Sequence, residues 1–120
     1  MPKILVVDDE SAILLALDEY LSASGYEVTL ADGLEEAMAQ LERSHYEAVI
    51  ADLRLTGSGG TEGLDIVRRV RSHHPSTRVV ILTAFGSTEV EREAHRRGAD
   101  AFLHKPVPLS ELVRVLAELT

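Results

Sequence analysis

Short apolar runs alternate along this chain with segments whose apolar residues recur at helical spacing. Ile4–Val7 is the first run, followed at once by Asp8, Asp9 and Glu10. Leu14, Leu17 and Leu21 then repeat on one helical face, and Gly25 stands where that helix should end. Glu27–Ala31 alternates polar with apolar residues, the pattern of a half-buried strand, and Leu34, Ala37, Met38 and Leu41 mark a second helix. Ala48–Ala51 is another buried run and ends at Asp52. Leu64, Val67 and Val70 predict a third helix that stops near Pro75, and the run Val79–Leu82 ends at Thr83. Ser87–Arg97 reads as a helix with few apolar residues, hence with a weak packing face. Ala101–Leu103 is a short strand leading to Lys105-Pro106, and Leu109, Leu112, Val113 and Leu116 close the chain as an amphipathic helix.

Five strand–helix units in strict alternation predict a parallel sheet covered by helices on both faces, because central parallel strands are buried on both sides. No repeat, linker or low-complexity stretch interrupts the pattern, so residues 1–120 are expected to form a single domain. The length of 120 residues suffices to bury roughly two-thirds of the unfolded surface. No apolar run approaches the ~20 residues that span a bilayer, and acidic residues follow Val7 too early for a signal peptide. With no cysteine, disulfides and thiolate metal sites are excluded, and a cytoplasmic location is the expectation. The formal net charge of −8 argues against direct nucleic-acid binding, which needs clustered Lys and Arg, and no membrane partner is expected.

The placement of the polar residues changes the picture from fold to chemistry. Asp8 and Asp9 follow the first strand, Asp52 the third and Lys105 the fifth, while Thr83 ends the fourth. In a parallel sheet all of these fall on the carboxyl edge, where open α/β folds bind their ligands. An Asp at a strand end is ordinarily a turn former or cap, and a lone Thr or Lys there is equally ordinary. Chance rarely brings all five to one edge with opposite charges matched. Three close carboxylates repel and raise one another's pKa unless a cation intervenes. Mg²⁺ suits such a site, since it takes oxygen ligands and keeps room for phosphate oxygens. Lys105 supplies a compact positive charge for a phosphoryl oxygen, the Thr83 hydroxyl can donate to another, and an Asp carboxylate is a competent nucleophile.

Read in order, Val-Val-Asp-Asp-Glu, Ile-Ala-Asp-Leu-Arg-Leu, Ile-Leu-Thr-Ala and Phe-Leu-His-Lys-Pro resemble the receiver domains of bacterial two-component response regulators over essentially all 120 residues. The resemblance implies a flavodoxin-like, doubly wound α/β sheet in strand order 2-1-3-4-5 with five helices, the fold of the chemotaxis regulator. It implies Asp52 as phosphoacceptor, Asp8 and Asp9 as Mg²⁺ ligands together with Asp52, and the backbone carbonyl of Arg54 completing the protein's share of the metal shell. Thr83 and Lys105 would bind the phosphoryl group, the Lys105–Pro106 bond would be cis, and Thr83 and Phe102 would form the switch. In such a switch Thr83 moves toward the phosphoryl oxygens, the Phe102 ring moves into the vacated space, and the surface of the fourth helix, fifth strand and fifth helix changes shape. The implied partners are a sensor histidine kinase or phosphotransfer protein upstream and a protein target or effector domain downstream, with a phosphorylation-dependent dimer left open. Such a domain catalyses only its own phosphorylation and dephosphorylation.

Some residues depart from the family pattern. Thr56 stands where receivers commonly have Pro, and the glycine-rich stretch from Gly57 to Gly63 is a few residues longer than usual before the helix resumes at Gly63-Leu64. It is either a mobile docking loop or a tolerated surface insertion, and it lacks the Lys of a phosphate-binding P-loop. Phe102 replaces the frequent Tyr, and Arg54 and Phe85 occupy positions that tune phosphoryl lifetime in the family. The histidines at 45, 73, 74, 95 and 104 form no metal-binding pattern. The alternatives to a phosphoswitch are a degenerate receiver acting only through protein contacts and a phosphohydrolase of the haloacid-dehalogenase type. The second lacks its required acid, because Arg54 occupies that position.

Overall fold

The computed structural model describes residues 1–53, 62–84 and 86–120. Its elements follow the sequence pattern closely: β1 (Lys3–Val7), α1 (Ser11–Ala23), β2 (Glu27–Ala31), α2 (Leu34–Arg43), β3 (Ala48–Ala51), α3 (Glu62–His73), β4 (Arg78–Thr83), α4 (Thr88–Arg97), β5 (Ala101–His104) and α5 (Leu109–Leu119). All strand pairings are parallel, in one sheet ordered β2-β1-β3-β4-β5. The helix expected to resume at Gly63 begins one residue earlier, at Glu62. The Lys105–Pro106 bond is cis.

The alternation of side chains along the strands builds two cores. Ile4, Val6, Ile50, Val80 and Leu82 face one side, where Leu14, Leu17 and Leu21 of α1 and Leu112 and Leu116 of α5 cover them. Leu5, Val7, Val49, Val79 and Ile81 face the other, under residues of α2, α3 and α4. The central strands β1 and β3 are thus buried on both faces, which explains their unbroken apolar runs, whereas edge strand β2 keeps exposed Glu27 and half-buried Val28, Thr29 and Leu30.

Helix α4 is attached differently from the rest. Ala94 is its one buried residue, with Val90 partly buried against the same core. The Ser87 side chain accepts from the Val90 N–H at its start, and Gly98 ends it at φ 116°, a left-handed conformation that glycine adopts without a Cβ clash. Its C-terminal end is clamped: Arg71 of α3 donates to Pro75 O (2.7 Å), Gly98 O (2.8 Å) and Asp100 Oδ2 (3.0 Å). Asp100 in turn accepts from the Val79 N–H at 2.8 Å.

Candidate functional site

Each candidate residue leaves its strand while still hydrogen-bonded to the neighbouring one. The Asp8 N–H donates to Ala31 O (3.1 Å), the Asp52 N–H to Val7 O (3.0 Å) and the Lys105 N–H to Thr83 O (2.9 Å). The sheet ladder therefore continues one residue past the strands and fixes three side chains at its carboxyl edge.

Those side chains meet. The Lys105 ammonium donates to Asp8 Oδ2 at 2.8 Å and to Asp52 Oδ2 at 3.1 Å, bridging carboxylates from β1 and β3. The Asp8 and Asp52 side chains are only 4% and 3% exposed, and Lys105 15%, so water screens this cluster little. Asp8 Oδ1 accepts a further bond from the Glu10 N–H at 2.9 Å.

The electrostatics follow from burial. Desolvation is the main force on Asp8 and pushes its pKa above the ordinary carboxylate value; the Lys105 and Glu10 hydrogen bonds and the Lys105 charge offset it in part, and the Asp52 charge adds to it. Burial also opposes charge on Lys105, but its hydrogen bonds to Asp8 and Asp52, with their charges, outweigh that and raise its pKa. The ammonium therefore stays protonated between two carboxylates, one of which is held reluctantly ionised.

The other sequence candidates lie around this pair. Carboxylate oxygens of Asp8, Asp9 and Glu10 stand within 4.8 Å of one another, with Asp8 buried and the other two exposed. Glu10 joins them as a ligand candidate beyond the Asp8 and Asp9 expected from the sequence, and its place in the acidic run is the signal for it. Thr83 is fully buried at the end of β4, and Phe102 is 8% exposed in the core beneath α4. Arg54, Phe85 and most of the Gly57–Gly63 loop lie outside the described residues.

Gly63, where the glycine-rich stretch meets α3, is a close packing position. A Cβ there would stand 2.4 Å from the Asp52 carbonyl oxygen and 2.8 Å from Leu53 Cα, while the Gly63 N–H donates to Leu53 O at 3.0 Å. The start of α3 thus lies directly on the backbone of Asp52. Nothing in the glycine spacing marked this contact.

Beside Lys105 an apolar groove of about 230 Å³ runs between α1 and α5, lined by Ile13, Ala16, Leu17, Leu82, Val107 and Leu109 among others.

The family model for the response regulator receiver domain matches residues 4–117 of this chain. The chain belongs to this family. It is a receiver domain. This one is 35% identical over 121 residues to the sensory/regulatory protein RpfC of Xanthomonas campestris pv. campestris, covering 98% of the chain and 16% of that protein. It is 38% identical over 110 residues to the alginate biosynthesis transcriptional regulatory protein AlgB of Pseudomonas aeruginosa, covering 92% of the chain and 24% of AlgB. The chain therefore spans about a quarter or less of these relatives. Among solved structures, it is similar to a response regulator protein from Burkholderia pseudomallei with a phosphorylated aspartic acid, calcium ion and citrate (TM-score 0.88, 26% identity, 97% of this chain and 66% of that one). The phosphoacceptor role in two-component signalling fits these likenesses, and neither the degenerate module nor the phosphohydrolase is favoured by them. Among the described residues no helix is long and apolar enough to cross a membrane.

Proposed function

We propose that this receiver accepts a phosphoryl group on Asp52 with Mg²⁺ bound at Asp8 and Asp9, and that residues 1–120 do so as one domain. The observation that carries the reading is the Lys105 ammonium hydrogen-bonded to both Asp8 and Asp52. The all-oxygen donor set of Asp8, Asp9 and Glu10 fits a hard divalent cation, and a buried carboxyl whose pKa is raised by desolvation gains from one. Asp8 and Asp9 would hold the metal with Asp52 and the Arg54 carbonyl, and Glu10 stands close enough to act through water. Bound Mg²⁺ supplies positive charge that neutralises the transferring phosphoryl oxygens.

This chain's residues do the rest. An Asp52 carboxylate oxygen attacks phosphorus, the new O–P bond forms in line, and the bond from phosphorus to the donor nitrogen or oxygen breaks, its electron pair leaving with the donor. Lys105 shifts from bridging two carboxylates to pairing with a phosphoryl oxygen. The Thr83 hydroxyl, fully buried here, reaches the phosphoryl group by movement at the end of β4, and Phe102 and the α4-β5-α5 surface follow. The donor is a histidine kinase or phosphotransfer protein in the cytoplasm. The target is a protein or an effector domain, in keeping with the different proteins that carry the related domains. The phosphorylated aspartic acid and the calcium ion of the Burkholderia pseudomallei relative support the chemistry.

The test is intact mass after incubation with acetyl phosphate, with and without Mg²⁺, for wild type and Asp52→Asn. A Mg²⁺-dependent gain of one phosphoryl group in wild type alone is expected. No gain, together with no binding of beryllofluoride, would overturn the reading.

A further inference from the structure

Gly86 lies just before α4, on the segment that joins it to Thr83. A Cβ built at Gly86 would stand 2.7 Å from His104 Cε1 and 2.9 Å from Phe102 Cε1, closer than real Cβ contacts come. The Phe102 and His104 rings meet edge to face, with centroids 5.3 Å apart. His104 Nε2 lies 3.6 Å from Glu91 Oε1 on the first turns of α4. One ring pair from β5 thus touches the β4–α4 segment and α4 together. The other end of α4 is fixed by the Arg71–Gly98–Asp100 clamp, so any movement of this weakly buried helix is concentrated at its start, where Gly86 and His104 stand.

We propose that Gly86 and His104 are positioning residues for Phe102: the bare α-carbon of Gly86 and the imidazole of His104 close a slot that holds the Phe102 ring buried and ties its position to the start of α4. The consequence rests on the phosphoswitch reading, whereas the slot itself rests on the Gly86, Phe102 and His104 contacts alone. Phe102 is buried in the core against which Val90 of α4 packs, and a buried ring cannot yield as the end of a flexible chain does. Any side chain at position 86 must displace Phe102 or His104, or lift the segment leading to α4. The residue at 86 therefore biases the same element that Thr83 would move in the phosphoswitch reading.

The sign of one substitution tests this. Gly86 does not adopt the left-handed conformation, so Gly86→Ala would ordinarily stabilise the protein by restricting the unfolded chain. With the slot present it lowers the urea midpoint instead. In Phe102→Leu and His104→Ala backgrounds, where room is opened, the same substitution lowers the midpoint less or raises it. A Gly86→Ala midpoint that rises in wild type, or effects that add independently in the double variants, would overturn the proposal. A second arm reads the switch: with Mg²⁺ and beryllofluoride, Gly86→Ala should change beryllofluoride affinity about fivefold or more, the lower end of coupling between linked sites, and should alter the response of the Glu91 amide resonance. Unchanged affinity and response would overturn the link to the switch. If wild type binds no beryllofluoride, the phosphoswitch reading fails while the denaturation cycle still decides the slot.

Discussion

Lys105 and Asp8 carry opposing demands in one buried contact. The ammonium is held charged by two carboxylates, while Asp8 is pushed toward protonation chiefly by burial. A carboxyl whose folded pKa lies above its unfolded value binds its proton more tightly in the folded state, so it contributes stability that declines as pH rises from 3.8 through the folded value. Urea unfolding of metal-free protein across that range should show this decline in wild type, and Asp8→Asn should remove that part of the pH dependence. The same variant should be more stable than wild type at neutral pH, because it no longer buries a reluctant charge. Lys105→Gln loses the charge proposed to meet the phosphoryl group, and single-turnover phosphorylation by acetyl phosphate should slow by about 10²-fold, the usual cost of losing one preorganised electrostatic contact. Stability should be affected in the opposite sense from Asp8→Asn, since Asp8 and Asp52 then face each other without their cation.

At the scale of elements, the site is as rigid as the contacts behind it. Helix α3 starts against the Asp52 carbonyl, and only a glycine at 63 permits that approach. Gly63→Ala should cost about 1–3 kcal/mol in urea unfolding, as overpacking against fixed backbone does, and should slow labelling of Asp52 by moving its backbone. On the opposite face, Leu112 of α5 is fully buried against the core shared with α1. Leu112→Ala should cost roughly 2–5 kcal/mol while leaving the phosphorylation proposed at Asp52 intact in the folded fraction. The contrast between these two variants separates a residue that supports the site from one that supports only the fold. Helix α4, with one buried residue, is the element that gives way at least cost.

For the whole molecule, the metal binding proposed at the sheet edge would make ligand binding and stability one property. A divalent cation that binds only the folded state stabilises it by mass action, by about 2.7 kcal/mol when present at ~100 times its Kd. Thermal unfolding should therefore move upward with added Mg²⁺ in wild type, and the rise should vanish in Asp8→Asn. A net charge of −8 concentrates cations near the surface in general, so the variant, which differs by one charge, is the control that isolates the site. Loss of the Mg²⁺ effect in both proteins would remove the metal from the proposed mechanism.

Much of this was legible in the sequence. Period-two and period-3.6 patterns report which face of each segment meets the core, and that is local information; the bounds of β2 and β3 match the sequence reading residue for residue. Parallel strand alternation places strand ends on one edge, so the grouping of Asp8, Asp52, Thr83 and Lys105 followed from chain order alone. The rest depended on contacts between residues far apart in sequence. That one ammonium bridges Asp8 and Asp52, that Glu10 joins the acidic group, that Arg71 clamps the end of α4, and that Gly63 and Gly86 are packing positions are all set by distances across the fold. A glycine in a sequence reads as freedom of the backbone; only the tertiary structure shows when its missing side chain is space already filled by a neighbour. The sequence by itself determined the sheet and which residues stand at its edge, because periodicity and strand order are local. The tertiary structure decided which of them touch, because burial and contact arise only when separate elements pack.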